Sequence, residues 1–372
     1  VRRGGRTLGT ARLLKGLTVD RGKPDLASLE AETNPDAFVW GILPHAARTF
    51  AASIVVLPES QARSAAVAYL YCRMLDTYED LLPNTEASVA EMKRFAARLR
   101  SPGNEAAREV PPEMARDDRD RVYLLLIRRC SMVDQVFRSL DPEAQDQIVE
   151  LVDAMAEGMV WSREAFESQG GVLVDQVQLA AYCRNVIGYP ALFTLAQVSD
   201  LELPEPARED ALLVSEMIQL ANVTRDVERD LERGVGYHPD LKPYLGQSAD
   251  NAETVFAIRE ARETYMAMAL SRVPAYRRLF EGMRLGGSAP VRVAAVLMLL
   301  FTELHYRGCA TRTGNRNWPG PRSQLDVVLR SLPAAASPSW AIHTIRRVER
   351  EFLASLQIIS TNPPRTRPAI QA

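Results

Sequence analysis

Residues Ala68–Asp80 read Ala-Tyr-Leu-Tyr-Cys-Arg-Met-Leu-Asp-Thr-Tyr-Glu-Asp. The run is apolar with helical spacing, yet it carries Arg73, Asp76, Glu79 and Asp80. At about 100° per residue, Tyr69, Arg73, Asp76 and Asp80 lie along one face of a helix. Apolar residues precede that face, so its carboxylates are expected to point into protein or a cavity. Buried charges are costly unless something compensates them. A cation does so, and two acids one turn apart form an oxygen clamp suited to Mg²⁺. Alone the run is weak evidence, because acids at such spacing most often line a solvated helix face.

A second stretch changes the reading. Residues Gln219–Asp230 read Gln-Leu-Ala-Asn-Val-Thr-Arg-Asp-Val-Glu-Arg-Asp. Gln219, Asn222, Asp226 and Asp230 again share a face, with Arg225 beside it. Two such helices facing one another across a bundle suit a Mg²⁺–diphosphate cluster.

Long 3.6-period segments dominate and no window alternates with period two, so the fold class is all-α. No linker separates two domains, and one helical bundle is expected over residues 35–358. Residues 1–34 read as a flexible N-terminal arm, and residues 359–372, with Pro363-Pro-Arg-Thr-Arg-Pro, as a disordered tail. Helices are expected over 117–140, 142–168, 174–198 (bent at Pro190), 250–283, 289–311 and 338–358. Gly234 is the expected C-cap of the second acidic helix. Gly158 is compatible with a passing substrate tail or with plain helix packing.

A net charge of −2 leaves no basic footprint for nucleic acid. Cys72, Cys130, Cys183 and Cys309 are scattered without metal-ligand spacing, which favours a reduced, cytoplasmic setting. The most apolar run, Val293 to Phe301, falls short of the roughly 18 residues a membrane span needs and reads as a buried helix.

Four motifs carry a family resemblance. Asp76-Thr-Tyr-Glu-Asp80 and Asn222-Val-Thr-Arg-Asp226-Val-Glu-Arg-Asp230 resemble the two aspartate-rich motifs of the squalene/phytoene synthases, the first closer to the squalene synthase form. Arg48-Thr-Phe50 resembles the family's opening motif, and Ala181-Tyr-Cys-Arg-Asn-Val-Ile-Gly188 its tyrosine-bearing helix. The resemblance implies an isoprenoid-synthase-like bundle with a central apolar cavity. It also implies Mg²⁺-dependent head-to-head coupling of two prenyl diphosphates. For the squalene type these are two farnesyl diphosphates, giving presqualene diphosphate and then squalene with NADPH.

On this resemblance, Asp76 and Asp80 form one metal site and Asp226 and Asp230 the opposing one, with Glu79 and Asn222 as further oxygen ligands. Arg48, Arg73 and Arg225 clamp diphosphate, and Gln219 joins the substrate contacts. Tyr69 and Tyr182, with Arg73, carry the catalytic roles, and Phe50 walls the pocket. Any membrane contact is expected to be peripheral, since the C-terminal span of eukaryotic squalene synthases is not seen in this sequence.

Two departures stand out. Arg233-Gly-Val-Gly-Tyr-His-Pro239 has Val235 where the family usually has a second Arg, and Ala47 stands where it usually has Ser. Both bear on the second substrate or second half-reaction. They keep open a terpene synthase acting on one prenyl diphosphate. Coupling of geranylgeranyl diphosphate and an inactive scaffold are the other readings.

Overall fold

Prolines and side-chain caps divide the chain into helices. Asn34 Oδ1 accepts from the Ala37 amide at 2.9 Å, and Asp117, Asp175, Asn251 and Ser323 cap later helices in the same way. Asp141 holds the N-cap position before Pro142 without a side-chain cap bond. The computed structural model describes residues 12, 23–47, 49–100, 105–199, 203–314 and 317–361. Arg48 lies outside them.

The first half comprises α1 (Leu26–Ala31), α2 (Pro35–Ala47), α3 (Thr49–Val55), α4 (Glu59–Leu81), α5 (Thr85–Arg100), α6 (Asp118–Arg128), α7 (Cys130–Arg138) and α8 (Pro142–Ser168). The second half begins with α9 (Gln176–Cys183), a π-helical turn (Arg184–Gly188) and α10 (Tyr189–Val198). It continues through α11 (Glu205–Glu232), α12 (Ala252–Leu270), α13 (Val273–Gly282), α14 (Ala289–Arg312), α15 (Gln324–Ser331), α16 (Pro333–Ala336) and α17 (Pro338–Thr361). Among the described residues there is no strand, only an isolated bridge between Val172 and Gly236. The fold is all-α.

The acidic stretches fall on α4 and α11, and each helix is the hub of one apolar core. Helix α4 packs on α2, α5, α6 and α8 around Phe38, Tyr71, Met74 and Met155. Helix α11 packs on α12, α13 and α14 around Leu220, Tyr265, Leu300 and Phe352. Phe50, Val56 and Leu57 touch both cores. The two acid-bearing helices are thereby carried on opposite sides of one seam.

Several boundaries differ from the sequence expectation, and the causes are tertiary. The helix expected over 117–140 breaks at Arg129, whose guanidinium donates to the Glu30 and Glu32 carbonyls and stacks 5.5 Å from the Phe38 ring. The helix expected over 250–283 breaks at Ser271–Arg272, where Arg272 binds Glu216 at 2.9 Å and the Met268 carbonyl at 2.9 Å. In the 174–198 segment the irregularity is the π-helical turn, immediately before Pro190 rather than at it. Gly234 ends α11 with a φ of 79°, as a left-handed cap requires.

Helix α1 lies within the stretch read as a flexible arm, anchored by an Asp25 cap, while most of residues 1–22 lie outside the described set. Helix α17 runs past 358 to Thr361, and residues 362–372 lie outside that set. Helix α14 is longer than its apolar centre suggested. Its 24 residues are long and apolar enough to cross a membrane by length and composition. It packs against α3, α11, α15, α16 and α17, and its Glu303 is fully buried against Arg347 at 3.2 Å.

Candidate active site

The seam between the two cores opens into a cavity of about 420 Å³. Much of its lining is apolar, including Leu57, Leu195, Leu279, Phe280, Leu285 and Met298. Asp76, Glu79 and Asp80 of α4 and Asp226 and Asp230 of α11 line it as well. The motifs are within electrostatic reach of each other, since the Asp80 charge helps raise the Asp230 carboxyl and Glu79 acts on Tyr182. Tyr69, Arg73, Phe50, Tyr182, Gln219, Asn222 and Arg225 line the same cavity. The anticipated site residues therefore converge, apart from Arg48, which is not described.

Burial works against the charges of these acids. Burial pushes the Asp76 carboxyl up to about 6, despite Arg73 at 3.0 Å, with Asp80 adding repulsion. Burial, then Asp80 and Asp76, hold Glu79 well above the usual carboxylate range, against a smaller opposing pull from Arg163. Burial, Asp226 and Asp80 take Asp230 up to about 7, while Arg233 and Arg225 pull the other way.

Two arginines are already committed. Arg73 bridges Asp76 and the Tyr69 hydroxyl (2.9 Å), with its guanidinium 5.0 Å from the Tyr123 ring centre. Arg225 forks onto its neighbour Asp226, Nε donating to Oδ1 at 2.7 Å. The residues expected to clamp diphosphate thus hold carboxylates expected to bind metal.

Deeper in, a chain of hydrogen bonds ties α11 to α9. Asn222 Nδ2 donates to Gln219 Oε1 at 3.1 Å, and Gln219 Nε2 to the Tyr182 hydroxyl at 3.4 Å. The Tyr182 and Tyr237 hydroxyls sit 3.2 Å apart, their ring centres 5.0 Å apart, with Phe166 edge-on to both. Phe50 tilts against Tyr69 at 5.8 Å.

Sequence reasoning did not single out Tyr237, Arg229, Arg233, Arg119, Asp120 or Tyr123, all of which line the cavity. Arg229, Arg233 and Tyr237 sit inside or just after the second acidic stretch, so their signal was adjacency. The residues of α6 had no local signal and arrive through packing on α4. Val235 is half-buried against the second core and Ala47 lines the cavity. Gly158 meets α9's extension, not the cavity: a Cβ there would come within 2.6 Å of Asn185.

The donor set fits a hard divalent cation. Among the described residues, no three of the acids, histidines or cysteines draw together tightly enough to cage a metal by themselves. The carboxylate and amide oxygens are instead split between two opposed helices, with an excess of negative charge between them. Such an arrangement leaves coordination positions for water and an anionic ligand.

Carboxylates from two helices thus share one cavity with an extensive apolar lining. The chain belongs to the squalene/phytoene synthase family, whose model matches residues 43–300. A squalene synthase of Candida albicans is 27% identical over 208 residues, covering 54% of this chain and 44% of its own length. One from Botryococcus braunii is 28% identical over 198 residues, covering 52% and 40%. The chain thus spans under half the length of the curated relatives it matches. The solved structure of TcSQS with the ligand E5700 superposes with a TM-score of 0.60 at 17% identity, covering 87% of this chain and 99% of that one. Its complex with BPH1237 gives 0.57 at 17% identity, with 88% and 99% covered. That likeness establishes the fold.

Proposed function

We propose that this protein couples two prenyl diphosphates head to head, with farnesyl diphosphate as substrate and presqualene diphosphate or squalene as product. The observation that supports this most is the make-up of the cavity: acids from α4 and α11 line part of it, and aliphatic and aromatic side chains line the rest. A farnesyl chain matches the second and a diphosphate with its counter-cations matches the first. Family membership supports the same reaction class.

In this reading Asp76, Asp80, Asp226 and Asp230 hold Mg²⁺, with Glu79 and Asn222 as further oxygen donors. When bound, the metal neutralises charge developing on the leaving diphosphate. Arg73 and Arg225 exchange their carboxylate partners for phosphate oxygens, to which forked guanidinium donors are well matched. Tyr182 and Tyr237, backed by Phe166, present aromatic surface to the cavity, where a carbocation gains on the order of 2 kcal/mol from a desolvated ring face. The apolar wall keeps water from capturing that cation.

The test is incubation with farnesyl diphosphate and Mg²⁺, with and without NADPH, and mass spectrometry of organic and phosphorylated products. A C30 product is expected, and its NADPH dependence reports whether reduction follows in the same site. A C15 hydrocarbon or alcohol would overturn coupling in favour of a one-substrate terpene synthase, the reading that Val235 keeps in play.

A further inference from the structure

Helix α11 carries a carboxylate that the cavity chemistry does not use. Glu216, one turn before Gln219, lies in a buried run from Val214 to Ala221, and its side chain is only 1% exposed. Two arginines from different elements divide its oxygens. Arg184 Nε, at the head of the π-helical turn, donates to Oε1 at 2.7 Å. Arg272 Nε, at the break between α12 and α13, donates to Oε2 at 2.9 Å. As a source of stability such a cluster is a poor choice, since apolar side chains of similar volume would hold these helices about as well. A carboxylate shared by two guanidiniums fixes geometry instead, because charge-assisted bonds are short and directional.

What Arg184 fixes is the turn. Residues 184–188 leave the α-helical register directly after Tyr182 and Cys183. The next residue, Asn185, donates to the Gly158 carbonyl at a longer 3.4 Å. At the far end Gly188 sits against α11, where a Cβ would come within 3.0 Å of Leu212. Tyr182, Val186 and Ile187 all line the cavity, and the bond from Gln219 to the Tyr182 hydroxyl is long at 3.4 Å. The ion pair behind the turn is tighter than the hydrogen bond in front of it.

We propose that Glu216 is a positioning residue that, through Arg184, fixes the π-helical turn and thereby the place of Tyr182, Val186 and Ile187 in the cavity wall. The link is short, because these three residues lie within three positions of Arg184 in sequence. Arg272 holds the second carboxylate oxygen and is itself anchored to the Met268 carbonyl and the Ser271 hydroxyl at 2.9 and 2.8 Å. That the place of the wall bears on product outcome rests on the coupling reaction proposed above; the clasp itself does not. In that reaction the allylic C–O bond breaks with its electron pair leaving on diphosphate, and the carbon then bonds to the second substrate. Small displacements of positioning groups cost such steps heavily. With the wall displaced, a water oxygen bonds to the carbon instead, giving a C15 alcohol and passing a proton to the departing diphosphate.

The experiment compares Glu216→Gln with wild type by hydrogen–deuterium exchange and by product analysis, both on the full chain. Amides of residues 184–188 are expected to exchange about 10-fold faster in Glu216→Gln, as loss of a charge-assisted bond implies. Helices α5 and α7, in the first core, should exchange as in wild type. Arg184→Gln should reproduce the effect. Arg272→Gln should loosen the turn far less, since Arg272 holds the carboxylate from the other side. Unchanged exchange in the turn, or equal loosening in Arg272→Gln, overturns the proposal. With farnesyl diphosphate and Mg²⁺, Glu216→Gln should raise the ratio of C15 alcohol to C30 product about 10-fold, with KM within about twofold of wild type.

Arg184→Met/Glu216→Met separates positioning from a purely structural role, and it carries both readouts should Glu216→Gln fail to fold. The double variant removes the buried charge and fills its volume, so its Tm is expected to return toward wild type. Exchange in the turn and the product ratio should stay altered. Recovery of all three together would reduce Glu216 to charge balance and overturn the positioning role. Faster exchange with an unchanged product ratio would overturn it as well. A wild type that makes no C30 product removes the coupling reaction, and the exchange result then decides the clasp by itself.

Discussion

Helices α4 and α11 carry acidic stretches that look interchangeable on paper, yet their surroundings differ. On α4 Arg73 pairs with Asp76 alone of the three acids, and Glu79 is held well above its ordinary range by burial and by its two neighbours. On α11 Asp226 is forked by Arg225, and Asp230 feels both Arg233 and Arg225. Helix α4 is therefore short of positive charge, whereas α11 supplies acids and cations together. On the reading proposed above, α4 would lean more heavily on a metal than α11.

The sharpest test of that asymmetry is Asp80→Asn against Asp226→Asn. Asp80 is exposed, so its loss should leave the far-UV spectrum intact while kcat falls by about 10³-fold, the equivalent of roughly 4 kcal/mol. Asp226→Asn should cost about tenfold less; an equal or larger loss would erase the distinction between the helices. Arg225→Gln is expected to lower kcat/KM by on the order of 10²-fold, read from initial rates with farnesyl diphosphate. A loss confined to KM would mean that Arg225 binds substrate and transition state equally.

A smaller effect is expected in stability. Asp76 at about 6 and Asp230 at about 7 stand above the roughly 3.9 of an unfolded aspartate. Between those limits the folded chain holds more protons than the unfolded one, so stability falls as pH rises from about 4 to 7. Scanning calorimetry of the metal-free protein should show Tm dropping by about 2–4 °C across this window. Asp230→Asn should flatten the slope most, and Asp226→Asn should flatten it less, by removing part of the repulsion on Asp230; a larger flattening by Asp226→Asn would place the strain on the wrong acid. Smallest of all, Tyr237→Phe should reduce kcat about fivefold, on the order of 1 kcal/mol for one neutral hydrogen bond to Tyr182. No change would assign Tyr237 to packing.

The all-α class, the long helix α8 from Pro142 to Ser168 and both acidic helices were legible because period, proline and cap signals agree there. So was the convergence of the acids, since four motifs carried a resemblance and the cavity gathers all of their described site residues. Breaks at Arg129 and at Arg272 were not legible, because each arises where an arginine reaches carbonyls or a glutamate distant in sequence, not from a local breaker. Arg119 was hidden for the same reason: it belongs to a helix whose position follows from packing on α4. The family pattern also drew attention to the missing arginine at 235, and so away from the arginines that were present.

The contact between Gly158 and Asn185 has a consequence for the bore of the chamber. The π-helical turn that contains Asn185 also carries Val186 and Ile187, which form part of the cavity wall. With nothing but a hydrogen on Gly158, that turn seats against α8 and the wall stands back. A single methyl group at 158 would act like a shim, displacing the turn toward the lumen and narrowing it from outside without touching any residue that a ligand meets.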